Sequence, residues 1–328
     1  MVRAQGRALA AACALALLAG CGTGTVAGNT GGGDSGAKNA GGQAGGPITV
    51  ETARGQVSLP KPATKVVVLE WAYTEELVAL GVTPVGNADN EGYKKWITAP
   101  GSALPDGVAD LGQRQEPSLE RIKTLAPDLI VGEEKTIAVN YDQLKAIAPV
   151  VSFDYPVKPQ FETMKKNFAQ LAKAVGKDDK GKEVLGRIDA KAAEVKSKVK
   201  PDTAYAFAQA YSVNGTPTIR MFTGDTFVVQ VLALTGLRNT WQGQPDAWGL
   251  TTVGVEGLTQ VPADASLIYV AQNDDNPFTG ALAGNPVWQN LAFVKQKKLF
   301  PIDPGTWTFG GPLSAVQVLD GVGKALGA

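Results

Sequence analysis

From Lys65 onward, apolar runs of strand length alternate with segments of helical period, and this alternation restricts the fold more than any other feature of the chain. Val66-Val67-Val68-Leu69 reads as a buried strand. Glu75 to Leu80 follows as a helix, ends at Gly81 and hands over to a short strand at Pro84-Val85-Gly86. Leu119, Ile122 and Leu125 form a helical stripe that Pro127 stops ahead of the strand Leu129-Ile130-Val131. Leu144 and Ile147 mark another helix, closed by Pro149 before Val150-Val151-Ser152-Phe153. The pattern predicts a mainly parallel α/β sheet.

The same order returns in the second half. A strand over Ala204 to Ala210 precedes a helix from Phe227 to Leu234, which ends at Gly236; Val255 to Val261 leads through Pro262 and Asp264 to the strand Leu267-Ile268-Tyr269-Val270. Leu119-Glu120-Arg121-Ile122 before Pro127-Asp128-Leu129-Ile130 shows the same sequence of helix, proline, acid and apolar strand, so two similar lobes are expected. Between them, Phe161, Met164, Phe168, Leu171, Ala172 and Val175 keep helical spacing up to Gly176. A second helix, from about Asp179 to Val199, carries lysines on one side, read as a solvated face. The roughly 280 residues past the leader suffice for two cores of ordinary size. A ligand cleft between the lobes would lie at the carboxyl ends of the strands.

The first residues have a different character. Arg3 and Arg7 precede a short apolar stretch closed by Leu18-Ala19-Gly20-Cys21, too short to span a bilayer and ending in small residues. This is a secretory leader ending in a lipobox, with Cys21 the residue to be lipidated after cleavage. The following Gly, Ala, Asn, Thr and Ser residues cannot bury enough surface to fold and read as a flexible tether. The expected division is a signal peptide over 1–20, a lipidated tether over 21–47, an N-terminal α/β lobe over 48–157, a connecting helix over 158–177 and a C-terminal α/β lobe over 178–328. The protein is then extracytoplasmic, anchored to the cell membrane through Cys21.

Composition removes several function classes. There are 31 basic and 31 acidic residues, and losing Arg3 and Arg7 with the leader leaves about two net negative charges, so no basic stripe is available for nucleic acid. Both cysteines, Cys13 and Cys21, precede the folded part, which excludes disulfides and thiolate chemistry there. The chain has no histidine, so Ser-His-Asp triads and His-ligated zinc, haem or manganese sites cannot be built. Carboxylate-only glycan hydrolysis survives this filter, although no converging pair of acids is identifiable.

Aromatic residues at chain reversals point to a pocket. Trp71 ends the first strand, Trp96 closes Tyr93-Lys94-Lys95-Trp96, Trp241 and Trp248 flank one loop, and Trp307-Thr308-Phe309-Gly310-Gly311 precedes the final helix. Trp288, on a helical face with Leu291, is assigned to packing. Arg114 and Arg220 are either surface charges paired with carboxylates or fork-shaped donors facing each other across the cleft.

Glu70-Trp71 with Glu75 and Leu80-Gly81, then Asp110-Leu111-Gly112-Gln113-Arg114, Glu116-Pro117 and Leu119-Glu120, resembles the first lobe of iron-siderophore binding proteins of ABC importers. Asn239-Thr240-Trp241-Gln242-Gly243, Trp248-Gly249, Asn285-Pro286-Val287-Trp288-Gln289 and Gly311-Pro312-Leu313-Ser314-Ala315 resemble the second, and the similarity spans roughly residues 48 to 326. The resemblance is to the ferric-hydroxamate type. It implies a bilobal fold joined by one long helix, little domain closure, no catalysis, no resident cofactor or metal ligands, and a monomer that delivers a ferric siderophore to permease subunits. Trp71, Trp96, Trp248 and Trp307 match pocket aromatics, and Arg114 matches the arginine that hydrogen-bonds hydroxamate oxygens. Arg220 matches a second arginine of members whose ligands carry carboxylates, and Phe309 stands where the hydroxamate binders have tyrosine. Glu75 and Glu256 match the exposed glutamate of each lobe that meets the permease. A cobalamin or haem receptor is the alternative within transport.

Overall fold

The computed structural model describes residues 46–327; the leader, Cys21 and the tether up to residue 45 lie outside the described residues. The described chain opens with an antiparallel hairpin, β1 (Ile48–Thr52) and β2 (Gly55–Leu59), in which Ile48 faces Leu59. Next come β3 (Val66–Val68), α1 (Trp71–Ala79), β4 (Gly86–Asn87), α2 (Asn90–Trp96), β5 (Ala109–Asp110) and α3 (Leu119–Leu125). The first half is completed by β6 (Leu129–Glu133), α4 (Glu134–Ile137), α5 (Tyr141–Lys145) and β7 (Val150–Phe153).

These last five strands form an all-parallel sheet in the order β5-β4-β3-β6-β7. Every residue of β3, β6 and β7 is buried, which is why they read as unbroken apolar runs: the sheet is covered on both faces. The chain leaves β3 in one direction to β4 and β5 and returns on its other side to β6 and β7. That reversal opens a crevice at the carboxyl ends of β3 and β6, where Glu70 and Trp71 stand.

Two helices follow, α6 (Gln160–Ala174) and α7 (Asp178–Lys196). Phe161, Met164, Phe168, Leu171 and Ala172 form the buried stripe of α6, and the β1–β2 hairpin lies along it. The lysine side of α7 is solvated and laced by local pairs such as Lys180–Glu183 and Lys182–Asp179.

The second sheet is built from β8 (Ala204–Val213), β9 (Thr216–Phe222), β10 (Arg238–Asn239), β11 (Leu250–Val253), β12 (Ser266–Val270) and β13 (Leu299–Pro301). Between them lie α8 (Phe227–Ala233), a 3-10 turn over Val255–Gln260, α9 (Pro286–Asn290) and α10 (Ala292–Lys295), and α11 (Pro312–Leu326) ends the chain. Strand order is β11-β9-β8-β12-β13, with β10 continuing along the β9 side of β8. This sheet is mixed rather than mainly parallel, because β9 runs antiparallel to both β8 and β11. Asn214 and Gly215 form its tight turn with φ of 50° and 76°, the left-handed pair that a two-residue hairpin requires.

Each sheet has its own outer core, and the two sheets also share one central layer. Tyr73 and Leu77 of α1, Phe161 and Phe168 of α6, Phe227 and Leu232 of α8, and Val318 and Leu319 of α11 belong to one continuous buried cluster. It reaches Val66 and Val68 of the first sheet and Phe207 and Ile268 of the second. Each such side chain contributes about 1.5–3 kcal/mol of burial, so prying the halves apart would expose several at once. The crevice between them is therefore held by packing as well as by connectivity. Trp288 stacks on Phe278 at 4.7 Å and Trp241 is buried; both belong to the outer core of the second sheet.

Candidate functional site

The space between the two sheets contains a cavity of about 230 Å³ lined by Glu70, Arg114, Tyr155, Arg220, Asp246, Trp248, Leu250, Trp307 and Phe309. Glu70, two residues after β3, caps α1: its Oε1 accepts from the Trp71 amide at 2.9 Å. The same carboxylate accepts from Arg114 Nη1, at 2.9 and 3.1 Å to its two oxygens. Arg114 also lies with its Cζ 3.8 Å over the Trp71 ring. Paired on one edge and stacked on one face, the guanidinium is fixed, with further donors left for the cavity.

Burial pushes the Glu70 carboxyl above the usual range, an effect that Arg114 opposes but does not cancel. Burial also raises Tyr155 well above an ordinary phenol, helped by Glu70, so Tyr155 remains a neutral hydroxyl beside the cavity. Its ring lies 5.4 Å from that of Trp248, which is 39 % exposed and forms the open lip.

The second sheet supplies the opposite wall. Arg220, on β9, lies with its Cζ 4.9 Å from the Tyr211 ring. Asp246 Oδ1 accepts from the amides of Trp248 and Leu250 at 2.8 and 2.9 Å, which fixes the loop bearing Trp248. Gln160, the first residue of α6, donates to the Trp248 carbonyl at 2.8 Å and accepts from the Phe227 amide at 3.0 Å. Trp307 and Phe309 pack 5.0 Å apart on the loop entering α11.

Five of the seven expected ligand residues therefore converge: Arg114, Arg220, Trp248, Trp307 and Phe309. Trp71 does not line the cavity. It is buried, donates from Nε1 to the Ala88 carbonyl at 3.1 Å and packs edge-on against Trp307, so it supports Arg114 and Trp307 from behind. Trp96, likewise outside the lining, is half-buried against the cluster of Trp71, Tyr93, Ile97, Leu104 and Trp307. The sequence reading missed Tyr155 and Asp246, and named Glu70 without giving it a role.

Glu75 is not an exposed docking residue. It is fully buried, and its carboxylate holds the first turn of α11: Oε1 accepts from the amides of Leu313 and Ser314 at 2.8 and 2.9 Å, and Oε2 bonds the Ser314 hydroxyl. Glu256, in the first turn after β11, is exposed. Its counterpart by the repeated order of helix, proline, acid and strand is Glu120, exposed in the first turn of α3.

A larger hollow of about 770 Å³ lies along α7, β13 and α11. Its cations are neutralised by neighbours, Arg187 by Glu183 and Lys191 and Lys324 by Asp320, whereas the smaller cavity combines the fixed Arg114 guanidinium with aromatic walls.

Residues 66–306 match the family model described as periplasmic binding protein. A probable siderophore-binding lipoprotein, YfiY, of Bacillus subtilis (strain 168) is 30% identical over 286 residues, covering 83% of this chain and 85% of that protein. The iron(3+)-hydroxamate-binding protein FhuD of Escherichia coli (strain K12) is 27% identical, covering 80% and 87%. Among solved structures, the Fe3+-Desferal-bound siderophore-binding protein FhuD from Vibrio cholerae superposes with a TM-score of 0.71 at 25% identity, covering 81% of this chain and 98% of that one.

Proposed function

Because the chain belongs to the periplasmic binding protein family, we propose that it is a receptor, not an enzyme, that holds a ferric siderophore of hydroxamate type between its two sheets and delivers it to the permease of an ABC importer. The observation that carries this reading is the fixed guanidinium of Arg114 among aromatic walls. Hydroxamate oxygens bound to iron still have lone pairs for a guanidinium fork, and the organic arms of the ligand suit Trp248, Trp307 and Phe309.

Charge supports the hydroxamate class. The cavity places Arg114 and Arg220 beside Glu70 and Asp246, a formally balanced set. The iron centre of a ferric tris-hydroxamate is neutral, whereas that of a ferric tris-catecholate carries three negative charges that this set would leave uncompensated. Iron enters already chelated, as cargo, and the two cavity carboxylates are engaged with Arg114 and with backbone amides.

The same architecture supports a reading of delivery. α3 joins parallel strands β5 and β6, and the turn over Val255–Gln260 precedes β12, which runs parallel to β8. Both therefore begin at the carboxyl ends of their sheets, the same end as the cavity, with Glu120 and Glu256 exposed in the first turns. Glu120 and Glu256 are the proposed contacts for basic permease residues, and lipidation of Cys21 is the proposed anchor of a monomeric receptor.

The test is uptake of radioactive iron supplied as ferric desferrioxamine, in cells whose own copy of the gene is deleted and complemented. Uptake is expected with the wild-type chain and lost in the double variant Glu120→Lys with Glu256→Lys, which still binds ligand. Full uptake in the deletion strain would overturn the receptor assignment; full uptake with the double variant would overturn the docking contacts.

A further inference from the structure

The carboxylate of Glu75 links the two halves of the molecule at a place that no ligand contact requires. It projects from α1, which packs beneath the first sheet, into the N-terminus of α11, which packs against α7 and α8. α11 cannot satisfy its own first turn. Gly311 at the cap has no side chain, and Pro312, the first helical residue, has no N–H; the amides of Leu313 and Ser314 both donate to Glu75 instead. Gly311 has φ of 90°, and a Cβ at that position would collide with the Glu75 carboxylate. The cap is thus supplied from a residue more than two hundred positions earlier, and the glycine leaves room for it.

The segment ending at this cap is the aromatic wall of the cavity. Trp307 and Phe309 stand immediately before Gly310-Gly311. Trp307 rests on Trp71, the first residue of α1, with ring centroids 5.3 Å apart. The wall from 307 to 311 is therefore fastened to α1 at both ends, by the Trp71 ring at one and the Glu75 carboxylate at the other.

We propose that Glu75 is a positioning residue for ligand binding: without touching ligand, it sets the seat of Trp307 and Phe309 against Arg114 by capping α11 from the opposite half. This deepens the siderophore reading and rests on it. Oε1 can accept from both amides whether or not the carboxyl is ionised, so the neutral isostere glutamine retains most of the function.

The test compares full-length wild type, Glu75→Ala, Glu75→Gln, Trp307→Ala and the double variant Glu75→Ala with Trp307→Ala. Affinity for ferric desferrioxamine is measured by calorimetry and backbone protection by hydrogen exchange. In Glu75→Ala, peptides covering 307–316 are expected to exchange faster while those of β8 stay unchanged, and affinity falls roughly 5- to 150-fold, the range typical of coupling between distinct sites. Glu75→Gln is expected to recover most of that loss. With Trp307 already removed, Glu75→Ala is expected to have little further effect, since it acts through the wall.

Faster exchange at 307–316 with unchanged affinity would overturn the positioning role, as would a full additional loss in the double variant. A wild-type chain that binds no ferric hydroxamate would instead overturn the functional reading, and the positioning role with it. Should Glu75→Ala fail to fold, Ser314→Ala, which removes only the hydroxyl partner, carries the same comparison with a smaller expected shift.

Discussion

Arg114 and Arg220 enter one cavity from opposite sheets and are held in different ways. Arg114 is bonded to both oxygens of Glu70 and stacked 3.8 Å over Trp71. Arg220 lies 4.9 Å from the Tyr211 ring, and among the described residues no carboxylate is within ion-pair distance of it. A donor already fixed loses little rotamer freedom when ligand arrives, whereas a free one costs about 0.5–1.5 kcal/mol to order. The contrast separates a rigid guanidinium on the loop after β5 from an adjustable one on β9.

The rigid side rests on buried acids, and its largest expected signature is in stability against pH. Burial raises Glu70 and Glu76, and pushes Glu75 up to about 7 despite its bonds to Leu313 and Ser314. Glu76, next on the same helix, and Tyr93 are the titratable groups coupled to Glu75. A carboxyl with a higher folded than unfolded pKa holds its proton more tightly when folded. Stability therefore falls as pH rises from the unfolded value of about 4.5 through about 7, by up to about 3 kcal/mol for a shift like that of Glu75. Glu75→Gln is expected to flatten this slope in thermal melts; an unchanged slope would show that Glu75 ionises freely.

Arg114→Ala is expected to weaken ferric hydroxamate binding by about 1.5–3 kcal/mol, the range for hydrogen bonds to charged groups. Glu70→Gln keeps a side chain to cap α1 but releases Arg114. Its expected cost is about 0.5–1.5 kcal/mol, the ordering term that the free arginine already bears. A loss in Glu70→Gln equal to that in Arg114→Ala would place Glu70 itself on the ligand. Arg220→Ala is expected to have the smallest effect on a neutral tris-hydroxamate, below about 1 kcal/mol, and a larger one on siderophores with free carboxylates. Equal losses for both ligand types would remove the distinction between the arginines.

The same contrast explains what was legible in the sequence. Strands buried on both faces, such as Val66–Val68 and Leu129–Glu133, announce themselves as apolar runs, and α6 does so by its periodic stripe. The antiparallel turn in the second sheet is signalled only by Asn214-Gly215 within Val213-Asn214-Gly215-Thr216, which the surrounding strand-and-helix alternation masks. Loop tryptophans marked the neighbourhood of the site but not which rings face it: Trp71 and Trp248 look alike in sequence, yet one is a buried support and the other an exposed lip. Glu75 does not declare its role in sequence: its partners lie 238 and 239 residues away, beyond any local pattern, and a buried capping acid resembles a surface acid. Glu120 lay in the repeated motif and could have been found by comparing its place with that of Glu256.

The most direct test of the charge-balanced, Arg114-centred cavity is a tryptophan-fluorescence titration of the wild-type chain and Arg114→Ala. Ferric desferrioxamine is set beside a ferric tris-catecholate and ferric nitrilotriacetate. Saturable quenching of the wild type by ferric desferrioxamine is expected, weakened roughly 10- to 150-fold in Arg114→Ala, with little response to the other two complexes. Tight binding of the tris-catecholate, or equal quenching of wild type and Arg114→Ala by ferric desferrioxamine, would contradict it.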